Sequence, residues 1–373
     1  MTGAGLALSF TSRESHSSFT ALPTSEELAE YAIIPHEFEK PVPAELKGGI
    51  VNCAYLTFHA NSPAMLDQIA REAREFGASA IRVFIGDSFG PVELEKIRRL
   101  AEKYPLHIDL FDTFRMLHAA KPSLVLTPQK LDSSYLMGAE TDEDIRERQL
   151  AFFTDPEIRM NFINRVKTIV QNLRDAAGIK VWSVANEPEP PIEDWEEKRK
   201  ILTDWYVEVI KAIREEDHKR PIVSGVADPT LLDEERLKEV GLTANTIHLY
   251  PGFGSSSVDA VSHRYMNEHM RVLPLFCQEI GYYHRVNLQL PARAFSIPLP
   301  LHDQRLSSFL HGTALRFAQV DTRNQTLKLP FTGIGLWQLD YDNPYHKDGF
   351  EVKPKDVPLT TQTLKTWGEF LLK

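Results

Sequence analysis

The stretch VWSVANEPEP, residues 181–190, reads as an apolar run that breaks onto Asn186, Glu187 and Pro188, and LPLFCQEIG, residues 273–281, repeats the design with Glu279 near its end. An apolar run without polar alternation marks a strand covered on both faces, as the strands of parallel sheets are. Working outward from these two, runs of the same kind lie at 50–56 (IVNCAYL), 79–85 (SAIRVFI), 105–111 (PLHIDLF), 221–226 (PIVSGV), 245–250 (NTIHLY) and 333–338 (GIGLWQ). With 179–185 and 273–278 that makes eight strands.

Amphipathic segments at helical spacing separate them. Met65, Ile69, Ala73 and Phe76 form one face over 63–76, stopped by Gly77. Asp155 and Pro156 give an N-cap and first turn to 156–176, whose stripe is Ile158, Phe162, Val166, Ile169 and Leu173. Leu202, Trp205, Val209 and Ile213 do the same over 195–215, and Leu364, Trp367 and Leu371 over 360–372. These stripes are core faces. Strands alternating with helices predict an α/β fold with a parallel sheet, and eight strands close a (β/α)8 TIM barrel. The barrel is expected as a single domain over 24–373, after a Ser/Thr-rich flexible lead-in at 1–23 that lacks apolar periodicity. Two connections exceed what the scaffold needs, 112–155 after strand three and 282–331 after strand seven, and both are candidates for the walls of a cleft.

The chain has 373 residues, 42% of them hydrophobic and 25% charged, which is a globular composition. A formal charge of −10 argues against nucleic acid, whose phosphates are bound by clustered Lys and Arg. A neutral polymer or small molecule is the expected partner. No run approaches the eighteen apolar residues of a membrane span. The first residues carry no basic region or cleavage site, so the chain as written is expected to be cytoplasmic, or secreted if a leader was removed. Cys53 and Cys277, each inside an apolar run, are read as buried free thiols. The thirteen histidines lack zinc-ligand spacing. Asp340, Asp342, Asn343 and His346 read as a loop beside the cleft, since their spacing is not that of a calcium loop. No metal or cofactor is expected.

Strand C-termini of a parallel barrel open onto one face, so Glu187 and Glu279 are expected to share a site. Hydrolysis of a glycosidic bond with retention needs one protonated carboxyl for the leaving oxygen and one ionised carboxylate to attack the anomeric carbon, about 5–5.5 Å apart. Glu187, beside the Asn186 amide and stiffened by Pro188, suits the acid/base role, and Glu279 the nucleophile. An Asn-Glu-Pro tripeptide alone is weak, arising in roughly one chain in twenty of this length at average residue usage. What carries the reading is its position after the fourth strand, with a second glutamate at the seventh.

That placement resembles clan A glycoside hydrolases, specifically the cellulase-like family 5, and within it the endo-β-1,4-mannanases. The likeness spans about residues 48–370 and is specific at strand ends. It implies a cofactor-free retaining hydrolase of β-linked polysaccharide or oligosaccharide. It also implies roles: Arg82 in IRVFI steadies the nucleophile, Asn186 meets a sugar hydroxyl, His248 and Tyr250 in TIHLYP serve the strand-six positions with the tyrosine bonded to the nucleophile, and Trp337 in GIGLWQLD floors a sugar subsite. FFTDPEIRMNFINRVKTIV at 152–170 looks like the mannanase stretch before strand four, whereas Phe84 departs from the tryptophan usual there. An arginine beside Glu279 is expected to keep it ionised, and its negative charge to keep Glu187 protonated. Rival readings are a β-glucan-active or exo-acting enzyme of the same clan, a non-catalytic carbohydrate-binding barrel, or a barrel using the glutamates as metal ligands. Oligomeric state is left open by the sequence.

Overall fold

All eight barrel strands form in the expected order in a computed structural model that describes residues 42–53, 63–85, 90–111, 142–250, 272–281, 285–286, 295–296, 299–318, 331–336 and 353–372. They are β1 (Gly48–Cys53), β2 (Ala80–Phe84), β3 (Leu106–Asp109), β4 (Ile179–Ser183), β5 (Ile222–Val223), β6 (Asn245–Leu249), β7 (Leu275–Ile280) and β8 (Phe331–Leu336). They pair in parallel in the order β5-β4-β3-β2-β1-β8-β7-β6. A parallel bridge between Val223 and Ala244 joins the two ends, and the sheet becomes a (β/α)8 barrel. The fifth strand is shorter than the run 221–226 suggested, because Gly225 turns left-handed at φ +80° and ends it.

Around the sheet lie α1 (Pro63–Glu75), α2 (Pro91–Ala101), α3 (Asp142–Thr154), α4 (Pro156–Leu173), α5 (Trp195–Glu216), α6 (Glu234–Glu239), α7 (Leu299–Ala318) and α8 (Pro358–Leu372). The cap read from the sequence is made, Asp155 accepting from the Glu157 and Ile158 amides at the start of α4, and Asp194 caps α5 in the same way by accepting from the Glu197 amide. Phe152, Phe162 and Trp205 pack together where α3, α4 and α5 meet, Phe162 stacking on Trp205 at 5.2 Å between ring centroids and Phe152 meeting Phe162 edge-on. Trp195 is half-buried and packs on this core, as a staple for α5 would. Part of the connection 282–331 is scaffold: the 20 residues of α7 form one of its helices, and Asp303 caps α8 by accepting from the Leu359 and Thr360 amides at 2.9 and 2.8 Å. A hairpin pairs Arg285–Val286 with Phe295–Ser296 just before it. Among the described residues no helix is long and apolar enough to cross a membrane. The lead-in 1–23, the segment 112–141, and the 340–346 cluster lie outside the described residues.

The barrel interior is apolar at its floor and polar towards the strand C-termini. Leu46, from a 3-10 turn at Ala44–Leu46, packs with Val181, Val223 and Ala244, and Ile50, Ala80 and Phe276 form another apolar cluster. Fully burying such side chains contributes about 1.5–3 kcal/mol each. Phe276 fits because β8 presents Gly333 to it: a Cβ there would sit 1.9 Å from the ring. Cys53 and Cys277 are free and fully buried, and burial pushes both thiols well above their ordinary value, so neither is a nucleophile at neutral pH.

Candidate active site

Above that floor one buried cation organises the C-terminal end of the barrel. Arg82 on β2 is fully buried and spends its guanidinium on four acceptors from four strands or strand ends. Its Nε and Nη2 donate to Asp109 Oδ2 on β3 at 3.2 and 2.6 Å, Nη2 also to Asn186 Oδ1 at 2.9 Å, and Nη1 to Asn52 Oδ1 at 3.1 Å and to Glu279 Oε1. Asn52 is fixed in turn, donating to the carbonyls of Gln278 and Leu336, both at 3.0 Å. A planar fork with five donors is what lets one residue tie β1, β2, β3 and β7 together. Burial by itself works against this cation, but Asp109 and then Glu279 more than offset it and raise the Arg82 pKa, so the charge is permanent. Burial holds the Asp109 carboxyl above its ordinary value, with Arg82 pulling the other way.

Glu279 reaches this cation because β7 is not regular. Ile247 pairs with Cys277 and His248 with Glu279, leaving Gln278 as the extra residue of a β-bulge. In an unbroken strand Gln278 and Glu279 would face opposite sides. With the bulge both turn inward: Gln278 donates through Nε2 to Ser183 Oγ on β4 at 3.3 Å, and Glu279 meets Arg82 through Oε1 and the Tyr250 hydroxyl through Oε2. Glu279 is 2% exposed, the more enclosed of the two carboxylates.

Glu187 stands four residues beyond β4, with backbone φ +47°, a left-handed conformation uncommon for a residue with a Cβ. Its amide donates to the Gly225 carbonyl at 2.8 Å, and the Asn186 amide to the Phe111 carbonyl at 2.7 Å, so both neighbouring strand ends hold the turn. Gly225 makes this possible, since a Cβ there would lie 1.8 Å from the Ala185 carbonyl oxygen. The Glu187 side chain is 24% exposed, and its Oε1 lies 2.7 Å from His248 Nδ1.

His248 completes the link between the acids. Its Nδ1 is also 3.5 Å from Glu279 Oε2, and its Nε2 is 3.3 Å from Gln278 Oε1. Burial opposes an imidazolium here, yet Glu279, and then the hydrogen bond and charge of Glu187, together lift its pKa above the ordinary histidine value. One donor atom each from Glu187, His248 and Glu279 lie within 4.8 Å of one another. A metal ion at those atoms would meet the positive charge of Arg82, already bonded to Glu279.

Of the residues singled out in the sequence, Arg82, Asn186, Glu187, His248, Tyr250 and Glu279 thus come together at one end of the barrel, and Trp337 lies outside the described residues. Sequence reading missed Asn52, Asp109, Ser183 and Gln278. A signal existed: each is a polar residue inside a mostly apolar strand, where an unpaired buried polar group would cost stability and so implies an internal partner.

No family model and no curated protein sequence matches the chain. Solved structures do resemble it. An endo-β-1,4-mannanase from Thermotoga petrophila superposes with a TM-score of 0.57 at 13% identity, over 87% of this chain and 77% of that one. An endo-1,4-β-mannanase from Rhizomucor miehei gives 0.56 at 13% identity, over 87% and 94%. Endo-glycoceramidase II from Rhodococcus sp. gives 0.54 at 16% identity, over 86% and 78%. What these proteins and this chain share, at such identities, is the (β/α)8 fold.

Proposed function

We propose that this protein is a retaining glycoside hydrolase that cleaves β-linked polysaccharide or oligosaccharide by double displacement, with Glu187 as acid/base and Glu279 as nucleophile. The observation that carries the reading is the approach of the two carboxylates, whose nearest oxygens lie within 4.8 Å. That leaves room for a sugar carbon attacked by one acid while the other protonates the leaving oxygen. So close an approach favours the retaining arrangement over the wider carboxyl separation of about 6.5–9.5 Å that admits a water in inverting enzymes.

The neighbours give each acid its task. Arg82 and Tyr250 donate to the two oxygens of Glu279, which orients the carboxylate for attack. Glu187 bonds His248, which can share the proton that a general acid must bring to the leaving oxygen. When the glycosyl-enzyme forms, Glu279 gives up its negative charge to the new ester bond. Glu187, now a carboxylate, then takes a proton from the incoming water. Asn186, held by Arg82, is placed to meet a sugar hydroxyl beside the scissile bond.

For the substrate we infer β-1,4-mannan, with endo action. The fold likeness to endo-β-1,4-mannanases at TM-scores of 0.56–0.57 and the mannanase-like stretch at 152–170 support it. The test is hydrolysis of manno-oligosaccharides beside cello-oligosaccharides, with product lengths recorded and Glu279→Gln as the blank. Internal cleavage of the mannan series is expected. Preference for the cellulosic series would replace mannan by a β-glucan, release of single terminal sugars would replace endo by exo action, and no turnover of any β-glycan would overturn the enzyme reading.

A further inference from the structure

We infer that Gln278, carried into the barrel by the β7 bulge, is a positioning residue that fixes the tautomer of His248 and thereby keeps one proton between His248 Nδ1 and Glu187. The inference rests on Glu187 being the acid of the proposed hydrolase, and it concerns a residue that neither sugar nor anomeric carbon would touch.

The argument follows donors and acceptors along a chain of side chains. Asp109 receives two bonds from Arg82 on one oxygen, as a carboxylate does, and a carboxylate can only accept. Its buried Oδ1 makes no hydrogen bond of ordinary geometry, and the Ser183 hydroxyl is the neighbouring donor that favours the ionised form. Ser183 Oγ in turn accepts from Gln278 Nε2 at 3.3 Å. The amide is thereby oriented, and its Oε1 faces His248 Nε2 at 3.3 Å. A carbonyl oxygen cannot donate, so Nε2 must carry a hydrogen. In the neutral ring Nδ1 is then bare, 2.7 Å from Glu187 Oε1. Two bare lone pairs at that distance repel, and a proton on either atom turns the repulsion into a hydrogen bond. Releasing the proton would require the ring to change tautomer against the Gln278 carbonyl, or the amide and the serine to reverse together.

The charges around the ring do not undo this. Glu187 from the β4 end and Glu279 from β7 both favour a proton at Nδ1, while Arg82 from β2 opposes it. Arg82 is itself neutralised by Asp109 on β3 and by Glu279, and Tyr250 from the ring's own strand end donates to Glu279. The reverse polarity, with the amide flipped, is the competing arrangement: Nδ1 would then carry the hydrogen and hold Glu187 ionised, which is the wrong state for a general acid.

Two readouts test the proposal on the full chain. In ¹⁵N-histidine spectra, with the His248 signal identified by its loss in His248→Gln, the ring is expected as the Nε2–H form with Nδ1 hydrogen-bonded, at pH values where it is neutral. This requires no turnover, so it stands apart from the success or failure of the hydrolase reading. In the pH dependence of kcat/KM on a β-glycoside with a poor leaving group, Gln278→Met is expected to lower the alkaline limb by about one pH unit, because losing the proton no longer meets the Gln278 carbonyl. Gln278→Glu, an acceptor with added negative charge, is expected to raise that limb, and it serves if the methionine variant does not fold. An Nδ1–H tautomer in the wild type overturns the proposal. So does an alkaline limb that stays in place in both variants while the rate falls evenly at all pH values, as a purely structural glutamine would give.

Discussion

The ends of β4 and β7 each deliver a glutamate to the same few ångströms of space, and they do so by opposite means. Glu279 lies within its strand, brought inward by a bulge, 2% exposed and clasped by Arg82 and Tyr250. Glu187 lies past its strand in a left-handed turn, 24% exposed, with a histidine as its polar partner. One environment supplies positive charge and hydrogen-bond donors, the other a proton partner and an opening to solvent. Two residues of one chemical type are thereby given different surroundings, and contrasting environments are how paired carboxylates divide acid and nucleophile work. The two sides are also anchored differently: Glu279 is itself part of the barrel's buried ion network, whereas the turn carrying Glu187 is held by two backbone bonds and by the Arg82 bond to Asn186.

The first way to break the comparison is to remove the charge on the enclosed side. Glu279→Gln is expected to lower kcat on an aryl β-glycoside by at least about 10⁴-fold with the fold intact by circular dichroism, since it removes the proposed nucleophile. Glu187→Gln is expected to cost about 10²–10⁴-fold on substrates with poor leaving groups and far less with dinitrophenyl leaving groups, which need no proton. Equal losses on both substrate kinds would erase the distinction between the acids. Arg82→Met is expected to destabilise the protein by about 3–5 kcal/mol in urea unfolding, because it strands Asp109 and Glu279 as buried charges.

A smaller effect is expected on the open side. Gly225→Ala forces a Cβ towards the Ala185 carbonyl at a φ of +80°, and about 1–3 kcal/mol of stability is expected to be lost. Because the Gly225 carbonyl holds the Glu187 amide, turnover of poor-leaving-group substrates should fall more than that of activated ones. The smallest is a pH effect. The His248 pKa is raised in the folded state, so its charge stabilises the fold fully below the ordinary histidine value and progressively less as pH climbs through the raised one. The stability gap between wild type and His248→Gln should therefore narrow as pH rises above the ordinary histidine value in urea melts.

The fold was legible in the sequence because a parallel barrel writes its strands as short apolar runs, and all eight could be counted. Four positions inside those runs were less legible. Asn52, Asp109, Ser183 and Gln278 are polar residues whose partners come from other strands, so their meaning appears only once the barrel closes and Arg82 stands among them. The bulge at Gln278 was hidden for a related reason: a period-two reading of LPLFCQEIG assigns Gln278 and Glu279 to opposite faces, and the departure arises from pairing with β6 and β8. The left-handed turn at Glu187 was equally unmarked, because it is imposed by Gly225 and Phe111, residues far away in the chain.

The central claim, that two carboxylates this close perform double displacement, is tested most directly by the anomeric configuration of the first product. Proton NMR of a β-manno-oligosaccharide digest, recorded before mutarotation, should show the β-anomer appearing first and the α-anomer growing in only later. Initial release of the α-anomer would mean inversion, and would contradict the assignment of Glu279 as nucleophile.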